Sequence, residues 1–297
     1  MTTANLMDGT AVAARMNETT ADRARELREA TGVEACLATV LVGDDPSSAT
    51  YVRMKQNRCR KAGIASRSLV LPASTTTAEL VAAIRELSDD PAVHGILLQH
   101  PVPDHIDERA AFEAIDPAKD VDGVTMHSFA AMAFGLPGFQ SCTPGGIIRL
   151  LDEYGVDLAG RHAVVLGRSP ILGKPVGMLL LAKNATVTYC HSRTQGLAEL
   201  VAQADVLVAA VGKPEFVKGD WLKPGAIIVD AGYHEGGRGD VDQAAAAEVA
   251  SLLTPVPGGV GPMTIAVLLA QTVDAAVAQS GPGVRDVAVD TRVRVSK

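Results

Sequence analysis

The chain has 297 residues, 47% of them hydrophobic and 21% charged, and its 27 Lys and Arg against 34 Asp and Glu leave a net charge of −7. That length exceeds what one core usually carries, so two domains of roughly 150 residues each, with a cleft between them, are expected. The acidic balance and the lack of a long Lys/Arg run exclude a basic, aromatic-laced nucleic-acid footprint, so an anionic ligand must find local cations.

Cys36, Cys59, Cys142 and Cys190 are widely separated and form no CxxC pair, which suggests neither a zinc site nor a disulfide framework. The start MTTANLMDGT lacks a basic segment followed by an apolar one, and the apolar stretch from Ile265 to Ala278 is interrupted by Gln271 and Asp274. The expectation is a cytoplasmic protein with no membrane span.

In chain order, the pattern predicts a helix from Ala11 to Ala30, an apolar strand from Cys36 to Val42 and a helix from Tyr51 to Gly63. A short strand from Ser66 to Leu71, a helix from Thr77 to Ser88 and a strand from Gly95 to Gln99 follow, the last ending in the turn HPVP. Continuous apolar runs of this kind belong to parallel sheets. The segment SFAAMAFGLPGFQS, Ser128 to Ser141, reads as the junction between domains. Beyond it come a helix from Pro144 to Tyr154 and strands at His162 to Leu166, Thr186 to Cys190, Asp205 to Val211 and Ala226 to Asp230. Such a series predicts an open, mostly parallel sheet with its ligand at the carboxyl ends of the strands. A last helix, about Met263 to Gln279, is expected to pack back on the first domain, ahead of a weakly structured tail.

The strand His162 to Leu166 runs into GRSPILGKP. Gly167 permits a tight turn, Gly173 permits close approach, and the following helix offers unpaired N–H groups to a pyrophosphate. The spacing departs from both GxGxxG and a Walker A loop, so a strand-turn-helix without a ligand also fits it. An NAD site usually places a carboxylate at the end of the second strand to hold the ribose hydroxyls. Here that position reads His191-Ser192-Arg193, and Arg168, Ser192 and Arg193 suit a 2′-phosphate instead, favouring NADP.

Tyr51 and Lys55 lie four residues apart, on one face of a helix begun by Pro46-Ser47-Ser48. On a cleft wall, a partly desolvated Lys55 would become a neutral base and Tyr51 would meet a ring; on the surface the pair would be a snorkelling lysine beside a half-buried tyrosine. Gln99 should emerge at the carboxyl edge of its sheet. The segment Lys119 to Gly123 reads as a charged turn, a solvated loop when taken alone. The run PVPGGVGPMT, Pro255 to Thr264, holds so many backbone-restricting residues that a shaped loop near a ligand is expected.

Together, VGDDPSSATYVRMK, GILLQHPVP, DPAKDVDG, CTPGGI, GRSPILGKP, NATVTYCHSRT, ADVLVAAVGKP, GAIIVDAG, GDV and TPVPGGVGPMT resemble, in order, the methylenetetrahydrofolate dehydrogenase/cyclohydrolase family across nearly the whole chain. The resemblance implies an α/β fold with two domains. The first, residues 1–142 joined by the C-terminal helix from about residue 265, would be a three-layer α/β catalytic and folate-binding domain. The second, residues 143–264, would be a Rossmann-type NADP domain.

A folate site built by Tyr51, Lys55, Gln99 and Asp122, and closed by Pro257, Gly258 and Gly259, is implied. Lys55 would be the central catalytic residue, Gln99 would orient it, Tyr51 would line the folate rings and Asp122 would anchor the pterin. Gly167, Arg168, Ser169, Ser192 and Tyr233 are implied for NADP. No metal is implied, and the resemblance points to a homodimer acting on tetrahydrofolate derivatives. The chain departs from the family at Tyr233, where Ile is usual, and at Gln99-His100-Pro101-Val102-Pro103, where QLPLP is common. The usual Asn-Val-Gly-containing stretch after Asp122-Gly123 is replaced by VTMHSFAAMAFG, which bears on the cleft wall and the balance of activities. Two other readings stay open: a two-domain dehydrogenase of another small substrate, and a folate- or NADP-binding protein without turnover.

Overall fold

The computed structural model describes residues 4–43 and 55–281. Tyr51, the start of its helix and the C-terminal tail lie outside the described residues. The chain divides into two compact units, one formed by residues 4–14 with Ser141–Val267 and the other by Arg15–Gln140 with residues 268–281.

The first unit holds a six-stranded sheet in the order β1-β9-β8-β7-β5-β6, every pair parallel. Its strands are β1 (Asn5–Leu6), β5 (His162–Leu166), β6 (Thr186–Cys190), β7 (Val206–Ala209), β8 (Ile227–Asp230) and β9 (Leu252–Leu253). Strands β7 and β8 are buried at every residue, as a sheet covered on both faces requires. The helices in this unit are α6 (Cys142–Glu153), α7 (Gly173–Ala182), α8 (Leu197–Val201) and α9 (Gln243–Val249). The division differs from the sequence expectation at the N-terminus, since residues 4–14 belong here. The physical reason is edge pairing: the N–H groups of Ala4, Asn5 and Met7 donate to the carbonyls of Ala247, Ser251 and Leu253.

The second unit holds a three-stranded parallel sheet in the order β3-β2-β4, from β2 (Cys36–Val42), β3 (Ala65–Leu71) and β4 (Gly95–Leu98). Central β2 is buried at all seven residues, while edge strand β3 exposes most of its residues. Residues 55–61 are helical, here α2. Helix α3 (Thr77–Asp89) starts from a capping box between Thr76 and Glu79 and buries Leu80, Ile84 and Leu87, one face of the helix. After α4 (Glu108–Phe112), the segment read as a loop at the domain junction begins as helix α5 (Met126–Phe134), and the two units divide at its end, between Gln140 and Ser141. Thr125 caps its start by accepting from the Ser128 N–H, and Gly135 ends it in the left-handed conformation at φ 66°. Local capping thus overrides the Gly/Pro signal that suggested a loop.

Two long helices, α1 (Gly9–Thr31) and α10 (Val260–Gln279), contribute residues to both units. In the second unit α10 is tied down by polar groups inside its apolar surface. The Gln271 amide donates to the carbonyls of Val121 (2.7 Å) and Gln140 (2.9 Å), and its oxygen accepts from the Gln140 N–H. Gln279 donates to the carbonyls of His94 and Ala118. These bonds hold the C-terminal part of α10 within the second unit.

Arg23 of α1 pairs with Asp274 of α10, their side chains 7% and 4% exposed. Removing one member of a buried pair strands the other, at a cost of about 3 to 5 kcal/mol. Arg23→Met, which keeps the length and loses the charge, should lower unfolding stability by about 3 kcal/mol or more in urea titrations. A loss below about 1 kcal/mol would show that the pair is solvated in solution.

His94 is buried at the start of β4, and its Nδ1 accepts from the Cys36 N–H (3.2 Å), so the neutral ring is the form that fits. Burial, and secondarily the Lys119 charge, lower its pKa from the ordinary 6.5, against a smaller opposing pull from Asp90. The unfolded chain therefore takes up the proton first as pH falls, so His94 favours folding above the unfolded value and this contribution is lost as pH drops below about 6.5. The stability gap between wild type and His94→Gln should narrow between about pH 7.5 and 5.5. A gap independent of pH would refute the assignment.

Candidate functional site

In the second unit two of the expected site residues, Lys55 and Gln99, meet at the carboxyl end of β4. The Gln99 N–H donates to the Val40 carbonyl (2.8 Å), continuing the β2–β4 pairing one residue beyond the strand. Its side-chain Nε2 donates to the His100 carbonyl (3.1 Å), and its Oε1 accepts from Lys55 Nζ (2.9 Å). An amide has one donor end and one acceptor end, so engaging the nitrogen aims the oxygen at the lysine. Lys55 is 8% exposed, which removes the reading of a snorkelling surface residue.

The expected charged turn is not a solvated loop. Lys119 is buried and donates to the carbonyls of Asp90 (2.7 Å) and Leu87 (3.4 Å). Asp120 is fully buried, and its carboxylate accepts from the N–H groups of Val124 and Thr125 and from the hydroxyls of Thr125 (2.7 Å) and Ser128 (2.6 Å). Burial pushes the Asp120 carboxyl up, and these hydrogen bonds oppose the shift. The turn rests on β4 because Gly95 has no side chain: an added Cβ would lie 2.7 Å from a Val121 methyl. Half-buried Asp122 is thereby held between a locked Val121 backbone and Gly123. His100 does not enter this hydrogen-bond set through its ring, which packs edge-on against Phe112 with centroids 5.8 Å apart.

In the first unit, β5 and β6 end side by side, Leu166 opposite Cys190, so Gly167-Arg168-Ser169 and His191-Ser192-Arg193 leave the sheet at neighbouring points. Gly167 has φ 124°, and a Cβ there would lie 2.2 Å from the Ala210 carbonyl oxygen. At Gly173 a Cβ would meet the Gly167 carbonyl at 2.4 Å, so both glycines are required by close backbone approach. Ser169 Oγ accepts from the N–H groups of Leu172 (3.1 Å) and Gly173 (3.3 Å), shaping the turn into α7. Arg168, Ser192 and Arg193 are exposed, and neither arginine has an ion-pair partner among the described residues. Tyr233 lies beyond β8 at 72% exposure.

The family described as tetrahydrofolate dehydrogenase/cyclohydrolase, catalytic domain, matches residues 7–122, and its NAD(P)-binding domain matches residues 141–280. The chain belongs to this family. It is 70% identical over 279 residues to bifunctional protein FolD 1 of Streptomyces avermitilis, covering 94% of this chain and 97% of that one. With bifunctional protein FolD of Cellvibrio japonicus it shares 57% over 269 residues, 91% and 96% of the two chains. Among solved structures it is similar to the bifunctional FolD methylenetetrahydrofolate dehydrogenase/cyclohydrolase of Campylobacter jejuni, with TM-score 0.90, 42% identity and coverage of 92% and 98%. The Trypanosoma brucei methylenetetrahydrofolate dehydrogenase-cyclohydrolase, solved with NADP and an inhibitor, gives TM-score 0.88 and 35% identity over 93% and 98%.

For this dehydrogenase/cyclohydrolase family member, sequence reasoning missed the buried carboxylates. Asp230, the last residue of β8, accepts from the N–H groups of Gly232, Asp240 and Val241 and from Gln243 Nε2. Burial raises its pKa, and the backbone N–H groups pull it back. Asp240, fully buried, accepts from the N–H groups of Val211, Gly212 and Lys213 and from His234 Nε2. The segments VDAG and GDV were visible as motifs, but an aspartate's exposure is not readable from spacing. The loop PVPGGV is compact within its own unit: the Gly258 carbonyl accepts from the Thr10 N–H (2.9 Å), and the Gly259 N–H donates to Pro255 (2.8 Å).

Proposed function

We propose that the protein oxidises 5,10-methylenetetrahydrofolate to 5,10-methenyltetrahydrofolate with NADP as hydride acceptor, and hydrolyses the product to 10-formyltetrahydrofolate. The observation that carries the reading is the Lys55–Gln99 hydrogen bond at the carboxyl end of β4, in a chain that both domains of the family match. A dehydrogenase of an unrelated substrate leaves that buried lysine and the anchored turn at Asp122 unexplained.

Hydride loss from the methylene bridge is driven by the substrate's own nitrogen lone pairs, which leave the methenyl cation delocalised over two nitrogens. The protein's task in that step is positioning, to about 3 to 3.5 Å between donor and acceptor carbons. NADP, when bound, supplies the hydride acceptor. Its residues would be Gly167, Arg168, Ser169, Ser192 and Tyr233, and the exposed guanidinium of Arg168 beside Ser192 suits a phosphate. The Trypanosoma relative, solved with NADP, supports the same cofactor.

Hydrolysis needs a base. Water adds to the methenyl carbon and its proton passes to neutral Lys55 Nζ, which Gln99 Oε1 holds in place. The hydroxyl of the adduct then gives up its proton as a ring carbon–nitrogen bond breaks, the departing nitrogen takes up a proton, and the formyl group stays on the other nitrogen with one proton released net. Asp122 would anchor the pterin through its ring nitrogens and amino group and Tyr51 would line the rings; the resemblance also assigns Pro257, Gly258 and Gly259 to folate binding. A cytoplasmic homodimer belongs to the same proposal and rests on the resemblance.

Lys55→Met should reduce methenyl hydrolysis by about 10² to 10⁴-fold, the usual contribution of a positioned base. Oxidation should fall less, because its driving force lies in the substrate. Methenyl formation and decay, followed separately by absorbance on the folded variant, decide this: decay at the wild-type rate would remove Lys55 as the base.

Arg168→Ala should raise the KM for NADP far more than that for NAD, since a charge-assisted phosphate contact contributes about 1.5 to 3 kcal/mol. Equal changes for both cofactors would mean that Arg168 does not meet the 2′-phosphate.

A further inference from the structure

Asp240 has no role in the mechanism above, yet it is among the most completely engaged side chains in the first unit. Its Oδ2 accepts from the N–H groups of Val211 (2.6 Å) and Gly212 (3.0 Å), and its Oδ1 from the Lys213 N–H (3.0 Å) and His234 Nε2 (2.8 Å). Residues 211–213 follow β7, and His234 follows β8. One fully buried carboxylate therefore joins the loops at the carboxyl ends of two neighbouring strands. Asp240 is itself fixed, because its N–H donates to Asp230 Oδ1 (2.9 Å) at the end of β8.

The sheet order shows which part of a ligand these loops would meet. Strand β5 is flanked by β6 on one side and by β7 and then β8 on the other, so the strand order reverses at β5. A dinucleotide lies across such a reversal, its pyrophosphate at the loop after the first strand and its two nucleosides on opposite sides. The donors suited to an adenosine 2′-phosphate, Arg168 and Ser192, follow β5 and β6. The other nucleoside, which carries the nicotinamide, then falls over β7 and β8, where Asp240 holds the loops.

We infer that Asp240, through the N–H groups of residues 211–213 and through His234, is a positioning residue for the nicotinamide half of the cofactor and so for hydride transfer. The inference rests on the dehydrogenase reading of the site. Three successive amides directed at one carboxylate can take only a narrow range of backbone geometry. An asparagine in its place turns one acceptor into a donor facing an N–H, and the loop must move. A displacement of about 1 Å at a reacting carbon can cost on the order of 100-fold in rate. Methenyl hydrolysis transfers no hydride, so it does not depend on this placement.

The test uses the full-length enzyme and three readings for each variant: NADP-dependent oxidation of methylenetetrahydrofolate, cofactor-free hydrolysis of methenyltetrahydrofolate, and binding of adenosine 2′,5′-bisphosphate. Asp240→Asn should lower the kcat for oxidation by about 10- to 100-fold, with hydrolysis and bisphosphate affinity each within about threefold of wild type, a spread of under about 1 kcal/mol. His234→Ala, which removes one donor from a half-buried position, should shift the same reading in the same direction by a smaller factor and remains informative if Asp240→Asn does not fold. His234→Gln, which keeps an N–H donor, should restore most of the loss. Oxidation unchanged in folded His234→Ala and Asp240→Asn, or oxidation and hydrolysis falling together, would overturn the inference. Wild-type enzyme without NADP-dependent oxidation would instead overturn the dehydrogenase reading itself.

Discussion

Loops at the carboxyl edge of a parallel sheet have left the ladder that satisfied their amides, and a loop that must hold one shape needs another acceptor. This chain supplies buried aspartates. Asp120 takes two backbone N–H groups and two hydroxyls in the turn that carries Asp122. Asp230 takes three backbone N–H groups at the end of β8, and Asp240 takes three more after β7. A carboxylate offers about four lone-pair directions and no donor, so it can gather several amides that no neutral side chain could gather alone. Burial disfavours its charge, and the convergent N–H groups are what make that charge tolerable. Groups that bind a ligand can then stand on loops without the loops being loose.

The strands were legible because their chemistry is additive and local. His162–Leu166 and Thr186–Cys190 emerge where the apolar runs put them, and Gln99 leaves its strand at the carboxyl edge as its place in the run requires. Lys55 was legible only as one of two opposed readings, since helical spacing gives a face and not its surroundings; burial beneath Gln99 decides between them. The pairing of Asn5–Leu6 with Leu252–Leu253 was invisible, because two residues carry no periodicity and their partner lies far along the chain. The helix Met126–Phe134 was hidden by the Gly and Pro that follow it, although its Thr125 cap was present in the sequence. The burial of Asp120, Asp230 and Asp240 was not legible for a related reason: composition records a carboxylate but not the amides that surround it.

At two of the positions that the resemblance marks as departures, 100 and 233, backbone groups make the hydrogen bonds that matter. At residue 100 the group that matters to Gln99 is the backbone carbonyl, which any side chain leaves in place, and the imidazole itself turns to the edge of Phe112. At residue 233 the tyrosine is largely exposed, while its neighbours are committed: the Gly232 N–H to Asp230, and His234 to Asp240. Gly232 is the constrained member of that trio, since a Cβ there would lie 2.4 Å from Asp240 Oδ1. Substitution is accommodated where the backbone does the holding and excluded where a side chain would enter the carboxylate's shell. Variation at His100 and Tyr233 leaves those hydrogen bonds in place, whereas the altered stretch after Gly123 itself supplies Thr125 and Ser128 to the Asp120 carboxylate, so that departure is built into the turn that carries Asp122.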